Sequence, residues 1–159
     1  NLAGADLSRA DLTGADLTGA NLTGANLRGA KLTNAILKTS KLGKANLTGA
    51  SASKADFTNA SGIKANLSYI NLNGATLVNT NLTSAKLDSS YLFQANLTGA
   101  NLSSITAMYS NMTSANLTNA NLTNATIDYA FMLGAITTGS VQTGTIFTGT
   151  QMPNGTIQK

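Results

Sequence analysis

The sequence of 159 residues contains no cysteine, histidine, tryptophan or glutamate, and only one proline. Without cysteine there is no disulfide, thiolate metal site or thiol nucleophile. Without histidine the chain lacks the usual general base and the commonest transition-metal ligand. Serine and threonine are abundant, but no base accompanies them that could activate a hydroxyl as a nucleophile. We therefore expect a protein that is not an enzyme and has no cofactor and no metal site.

Charge is also scarce: ten Lys and Arg and six Asp give a net charge of +4. The positive excess lies entirely in residues 1–88, because residues 89–159 carry only Asp128 and Lys159. A net charge this small does not predict a specific nucleic-acid partner. The long uncharged stretch from Ser89 to Ile127 is too rich in Asn, Ser and Thr to insert into a membrane.

What the sequence does have is a period of five. From Leu2 to Ile157, 27 of the 32 positions spaced five apart are Leu, Ile, Phe or Met; the exceptions are Ala52, Gly62, Ala107, Thr137 and Gln142. We call this position the centre of each unit. Two residues before it lies a small residue, most often Ala. Five residues fit neither the 3.6-residue period of a helix nor the two-residue period of a strand, so each unit must end by turning a corner.

Glycine placement supports a corner in every unit. Twelve of the 15 glycines lie two residues after a centre. This position would be the third residue of a type II turn, which requires a positive φ. Asn also tolerates that conformation, and it occupies the same place at Asn34, Asn59, Asn79, Asn119, Asn124 and Asn154.

The units ADLSR, ADLTG, ANLTG and ANLRG resemble the repeats of the pentapeptide-repeat proteins, and the resemblance covers essentially all of residues 1–159. It implies a single all-β domain, a right-handed quadrilateral parallel β-helix with four units per coil. The centre and the small residue would point inward and the other three residues outward. Twenty residues per coil predict about eight coils, and a tower roughly 38 Å tall. The abundance of the family in cyanobacteria suggests such a source.

Two departures from the repeat predict compensated packing in the core. Ala52 and Gly62 are small centres on opposite sides of one coil, and Phe57 between them is bulky enough to fill the space. Ala107 is a small centre preceded by Ile105, where a small residue is usual. Both look like volume-conserving exchanges. We therefore expect no large cavity at either place.

Other motifs have ordinary explanations. Sequences such as NLT match the N-glycosylation acceptor pattern, but the repeat itself generates them. Asp6, Asp11 and Asp16 would lie on three successive sides of the tower and would not converge on a metal. The basic residues Arg28, Lys31, Lys38, Lys41, Lys44, Lys54 and Lys64 are distributed around the tower as a belt. A solvated belt is favoured over a docking ring for an acidic partner, of which the candidate residues are Arg28, Lys31, Lys41, Lys44 and Lys64.

Aromatic residues are distributed less evenly. Phe57 and Phe147 are centres and should belong to the core. All other aromatic residues fall on one side and one corner of the tower, with Tyr109 directly above or below Tyr129; they are Tyr69, Tyr91, Phe93, Tyr109, Tyr129 and Phe131. Exposed aromatic side chains that cluster in an uncharged region are typical of a binding surface. The alternative is that stacked rings only stabilise the ladder.

These features predict a structural or protein-interaction module with a rigid surface. One alternative is a DNA mimic that inhibits gyrase, a role known in the family, but the net positive charge is the wrong sign for mimicry. Another alternative is ice binding through a flat threonine array. It is disfavoured because Lys38 and Val78 interrupt the ladder of threonines that begins at Thr18.

The ends of the tower and its compartment are expectations of a different kind. A β-helix exposes core and unpaired backbone at its terminal coils. We therefore expect the first coil to contact preceding sequence or another subunit, which would allow end-to-end self-association. Because the sequence begins with Asn, we expect a processed protein or an excised domain. Removal of a signal peptide would place it in the periplasm or thylakoid lumen, and otherwise it would be cytoplasmic.

Overall fold

The chain winds into a solenoid of twenty residues, or four pentapeptide units, per coil. The structure, a computed structural model, describes all of residues 1–159. It contains no helix, and its β structure consists of single bridging residues rather than extended strands. Parallel bridges join each residue before a centre to the residue twenty positions later, from Asp6–Asn26 to Phe131–Gln151. We refer to each coil by its residues, for example coil 81–100.

Backbone hydrogen bonds hold each unit to the coils on both sides. The Leu22 NH donates to the Lys41 carbonyl at 2.7 Å, and the Asn46 NH donates to the Ala25 carbonyl at 2.9 Å. Within the unit, the Ala25 NH donates to the Leu22 carbonyl at 3.0 Å and closes a turn. Because nearly every unit repeats this set, the columns of equivalent residues stay in register along the tower.

The core is a continuous cluster of 41 buried hydrophobic residues, formed by the centres and the small residues two before them. As the resemblance implies, the centre and the small residue point inward. The leucines of the first coil, Leu2, Leu7, Leu12 and Leu17, are only partly buried and pack against this cluster. They have a neighbouring coil on one side only.

Every corner is a turn whose third residue has a positive φ. This holds without a break from Gly4 to Gly149, at two residues after each centre. Eighteen of these corners are not glycine. The repeated backbone therefore overrides the local preference of residues such as Thr39 and Tyr69, which enter the left-handed region only at a cost.

The prediction fails at the last unit. Asn154 does not have a positive φ; Gly155 does, with φ of 86°. The chain turns back here as a hairpin in which Gln151 forms an antiparallel bridge with Ile157. Ile157, which the repeat predicts to be a centre, is 59% exposed as a result. Phe147 is only partly buried against the core, and the centre Gln142 is exposed.

The two departures in the core are packed nearly as expected. No cavity accompanies Ile105 and Ala107, which are both buried. Beside Gly62 there is an apolar void of about 10 Å³, which Phe57 and Leu82 line. Leu82 as well as Phe57 fills the missing volume, because its Cδ2 atom lies only 2.8 Å from where a Cβ at position 62 would be.

The preference for Asn or Asp before the centre has a hydrogen-bonding cause. The side-chain oxygen accepts from the backbone NH two residues later, as in Asn46 to Thr48 at 3.1 Å and Asn116 to Thr118 at 3.0 Å. This arrangement is an Asx turn. It satisfies an NH that the contacts between coils leave free.

No helix in the structure is long and apolar enough to cross a membrane.

Candidate interaction surface

The six aromatic residues outside the core lie exposed on one side and its adjoining corner. We call this surface the aromatic side. The exposed fractions are 62% for Tyr69, 53% for Tyr91, 41% for Phe93, 58% for Tyr109, 46% for Tyr129 and 54% for Phe131. Three occupy the corner, and three project from the flat side beside it.

The corner tyrosines stand in backbone conformations that normally suit glycine. Tyr69, Tyr109 and Tyr129 have φ angles of 61°, 59° and 56°. Tyr109 and Tyr129 are vertical neighbours, and their rings stack with centroids 5.3 Å apart and planes 10° from parallel. The Tyr129 ring continues over Gly149, where a Cβ would lie 2.5 Å from its Cδ1 atom. The Tyr129 ring therefore needs a glycine at position 149, whose φ of 68° also favours that residue.

On the flat side, Tyr91 replaces the Asn or Asp of the repeat, and a neighbouring coil compensates for the change. Tyr91 has no side-chain oxygen that could accept from the NH of Phe93. Instead, the Oδ1 atom of Asn73, one coil below, accepts from that NH at 3.0 Å. The turn is thus preserved while two rings, Tyr91 and Phe93, project from coil 81–100.

A second apolar pair lies two coils further along the same side. Phe131 and Leu133 occupy the positions equivalent to Tyr91 and Phe93, and Leu133 is 47% exposed. Leu133 was not among the predicted site residues, which were all aromatic. The available signal was an apolar residue after the centre, where the repeat usually has Thr or Ser.

Between the two pairs lies a polar notch. Coil 101–120 contributes Asn111 and Thr113 here, and both are half-buried. The Asn111 Oδ1 atom accepts from the Thr113 NH at 3.0 Å. The aromatic side is therefore corrugated: an apolar ridge at Tyr91 and Phe93, the notch, and an apolar ridge at Phe131 and Leu133.

The three sides that follow Phe131 along the chain also carry exposed apolar residues. Ile136, Val141 and Ile146 replace the usual Asn or Asp on the other three sides and are each about half exposed. Their exposure was not predicted from the sequence. They lie on different sides from the ridges and do not extend the aromatic side.

The basic belt does not converge on a site. Arg28, Lys31, Lys41, Lys44 and Lys64 are all exposed, but apart from Lys44 and Lys64 they lie on different sides and corners of the tower. Lys31 pairs with Asp11 at 3.4 Å, with both side chains more than 60% exposed. Such surface pairs contribute little to stability. Lys44 and Lys64 occupy equivalent corners of successive coils and have no carboxylate within ion-pair distance.

The carboxylates Asp6, Asp11 and Asp16 serve the turns. The Ser8 hydroxyl and NH hold the pKa of Asp6 below its usual value, and Thr13 acts in the same way on Asp11. Each carboxylate points outward from a different side. Their geometry offers no shared ligand position and no pair for acid–base chemistry.

The chain matches the sequence pattern of the family described as pentapeptide repeats. Eight copies are found, over residues 1–38, 40–77, 76–108 and 108–136. A comparison with curated protein sequences yields no match.

Among solved structures, the chain is similar to HetL, a pentapeptide repeat protein from the cyanobacterium Nostoc sp. strain PCC 7120. The two are 32% identical with a TM-score of 0.58, over 98% of this chain and 76% of HetL. Rfr23, a pentapeptide repeat protein from the cyanobacterium Cyanothece 51142, is 25% identical over 86% of this chain and 90% of its own, with a TM-score of 0.42. QnrB1, a plasmid-mediated fluoroquinolone resistance protein, is 19% identical over 92% of this chain and 77% of its own, with a TM-score of 0.48.

The period of five, the twenty-residue coil and the inward columns of leucine and alanine all agree with these matches. The chain therefore belongs to the pentapeptide-repeat family, whose fold is the right-handed quadrilateral β-helix.

Proposed function

We propose that this chain is a non-enzymatic protein-interaction module and that the aromatic side is its binding surface. One observation carries the proposal: all six exposed aromatic side chains lie together on one side of the tower and its adjoining corner. Monomeric proteins rarely expose contiguous apolar patches of more than a few hundred Å² without a binding role.

The corner tyrosines are held at a cost in backbone energy. A bulky residue in the left-handed region costs about 1–2 kcal/mol relative to glycine. Tyr69, Tyr109 and Tyr129 all adopt it, whereas Gly29, Gly49 and Gly149 occupy equivalent corners. Other residues that are not glycine adopt the same φ all round the tower, so this cost by itself does not mark a binding site. Stacking of Tyr109 on Tyr129 offsets part of the cost, but Tyr69 has no such ring partner.

We further infer that residues 1–159 form one domain of about eight coils. The unbroken series of parallel bridges from Asp6 to Gln151 and the single core cluster support this inference. HetL is involved in heterocyst differentiation regulation, which supports a regulatory rather than a metabolic role for this chain.

The test is capture of a partner from an extract of the source organism. The native tower and a variant with Tyr69, Tyr109 and Tyr129 changed to Ser serve as baits. A control variant changes Ile36, Ile63 and Val141 to Ser, because these residues are also exposed but lie away from the aromatic side. We expect one partner to be retained by the native and control baits and lost by the tyrosine variant. Equal retention by all three baits would contradict the assignment and direct attention to the basic belt.

DNA mimicry with inhibition of gyrase is the alternative function. Duplex DNA carries about one negative charge per 1.7 Å. This chain has six Asp against ten Lys and Arg, so its surface cannot present such an array. In a supercoiling assay we expect gyrase to keep its full activity in the presence of the tower. Inhibition at a stoichiometric ratio would replace our proposal with this one.

A further inference from the structure

We propose that a second copy of this chain binds the aromatic side, so that two towers pack side by side and antiparallel. The inference rests on the proposed function, because it uses the same surface and names its partner. It differs from end-to-end association, in which terminal coils would stack. Four observations support it: the shape of the flat side, the residues that meet at its corners, the distribution of charge and the exposed area.

The flat side is complementary to itself. A two-fold axis that lies in the interface, parallel to this side and perpendicular to the tower, and passes midway between coils 81–100 and 101–120 exchanges those two coils. The ridge of Tyr91 and Phe93 then faces the notch of Asn111 and Thr113 of the second copy, and the reverse holds. Ridge and notch are successive coils, about 4.8 Å apart along the tower. Such a self-complementary patch is what a two-fold interface requires.

The same axis also matches the corners. It brings the tyrosine corner of each copy against the tyrosine corner of the other. Tyr69 then faces Tyr129 of the second copy, and Tyr109 faces Ser89 of the second copy. Two pairs of aromatic rings therefore meet across the interface, and aromatic pairs of this kind favour association.

Charge favours the antiparallel arrangement. Residues 1–88 have a net charge of +4 and residues 89–159 have none. An antiparallel pair places the basic belt of each copy opposite the neutral half of the other. A parallel pair would bring the two basic halves together, and like charges repel. On the ridges and in the notch there is no charged side chain that would have to be desolvated.

The exposed area is sufficient for a dimer. A large aromatic side chain has about 150–250 Å² to bury. The six residues are each about half exposed, so together they offer about 600 Å² per copy. Two copies bury about 1,200 Å², which reaches the lower end of the range for specific interfaces.

Sedimentation of the native protein tests the association itself. We expect a species of about twice the 16.2 kDa chain mass, dissociating on dilution. A variant with Tyr91 and Phe93 changed to Ser should sediment as the monomer while keeping the melting temperature of its fold. The control changes Val141 and Ile146, which are about half exposed on other sides, and should remain dimeric. A native protein that is monomeric at every concentration would overturn the proposal, as would a dimer that persists in the ridge variant.

Single-cysteine labelling tests the orientation, because the chain has no cysteine of its own. Pyrene at Ser114→Cys, beside the notch, should give excimer fluorescence in the dimer. Pyrene at Thr13→Cys, on the aromatic side of the first coil, should give none, because the two labels would lie about 40 Å apart at about 4.8 Å per coil. Excimer emission from both positions would mean a parallel pair, and no emission from Ser114→Cys would mean a different interface; both results contradict the proposed arrangement.

The experiments distinguish failure of the dimer from failure of the proposed function. A monomeric protein that still captures a different partner through Tyr69, Tyr109 and Tyr129 would overturn the dimer and leave the interaction module intact. A dimer that the ridge variant breaks would support the proposal, even if the bait captures no other protein from the extract.

Discussion

The carboxylate of Asp88 supports the coil above its own. Its Oδ1 atom accepts from the Met108 NH at 3.0 Å, and its Oδ2 atom accepts from the Thr106 hydroxyl at 2.8 Å. Thr106 stands where most units have Asn or Asp, so the unit of Met108 lacks its own acceptor. Asp128 does the same for the NH of Thr148 at 2.9 Å. A missing side-chain oxygen in one coil is thus replaced from the coil below.

Substitution of Asp88 tests this arrangement. Asp88→Ala removes both acceptors and should lower the free energy of unfolding by about 1–3 kcal/mol. Asp88→Asn keeps one acceptor and should lower it less. Adding Thr106→Asn to Asp88→Ala should restore much of the loss, because the new amide can accept from the Met108 NH within its own unit. Urea denaturation measures each effect; a double variant no more stable than Asp88→Ala would contradict this account.

Ser40 is predicted to lower the stability of the fold. It is fully buried, and its hydroxyl has no hydrogen-bond partner. The equivalent hydroxyl of Ser90 donates to the Leu87 carbonyl at 2.6 Å. An unsatisfied buried hydroxyl costs about 1–3 kcal/mol, so Ser40→Ala should raise the melting temperature or leave it unchanged. Ser90→Ala is the matched control and should lower it. Equal losses in the two variants would show that Ser40 is also bonded in solution.

Phe57 is predicted to hold the core together around the two small centres Ala52 and Gly62. Phe57→Leu would enlarge the void beside Gly62, which nearby residues such as Leu82 cannot close without leaving their own positions. We expect a loss of about 1–2 kcal/mol in the free energy of unfolding. Phe147→Leu, at a partly buried centre, should cost less. An unchanged melting temperature for Phe57→Leu would mean that the core readjusts there.

Acid should weaken the tower through Asp56. Burial raises the pKa of this carboxyl, but the hydroxyl and NH of Thr58, together with Lys38 at 3.3 Å, lower it further, and the net pKa is below the usual value. A carboxyl with a lowered pKa in the folded state stabilises the fold above its unfolded pKa of 3.8, and this stability is lost as pH falls through the folded value. Asp56→Asn should therefore reduce the drop in melting temperature between neutral pH and pH about 2. An identical drop in both proteins would assign the acid sensitivity elsewhere.

The regular part of the fold was predictable from the sequence because each unit repeats the same pattern of residues. An apolar centre, a small residue before it and a glycine or asparagine after it together specify an inward column and a corner. The sequence does not reveal that Tyr69 or Lys44 adopts the same positive φ. Neighbouring coils impose that conformation against the local preference of the residue.

Prediction failed at the last unit. Ile157 keeps the period of five but leaves the core, because the chain turns back at Gly155 and pairs Ile157 with Gln151 in a hairpin. The positions of the six aromatic residues within the twenty-residue coil predicted that their rings lie on one surface, as they do. Their role as a binding site stays a prediction. Leu133 and the notch at Asn111 were missed because they are ordinary residues whose meaning depends on what lies one coil above and below.

The pairing of every residue with the one twenty positions later also restricts how such a chain can change in length. Gain or loss of one whole coil leaves every column aligned, so the tower grows or shrinks while its faces stay intact. Gain or loss of a single pentapeptide between Tyr91 and Phe131 preserves every local turn and every leucine in the core. It nevertheless rotates all later residues by a quarter turn and moves Phe131 and Leu133 onto a different side. Insertions or deletions of twenty residues therefore keep the surface intact, whereas those of five residues keep only the fold.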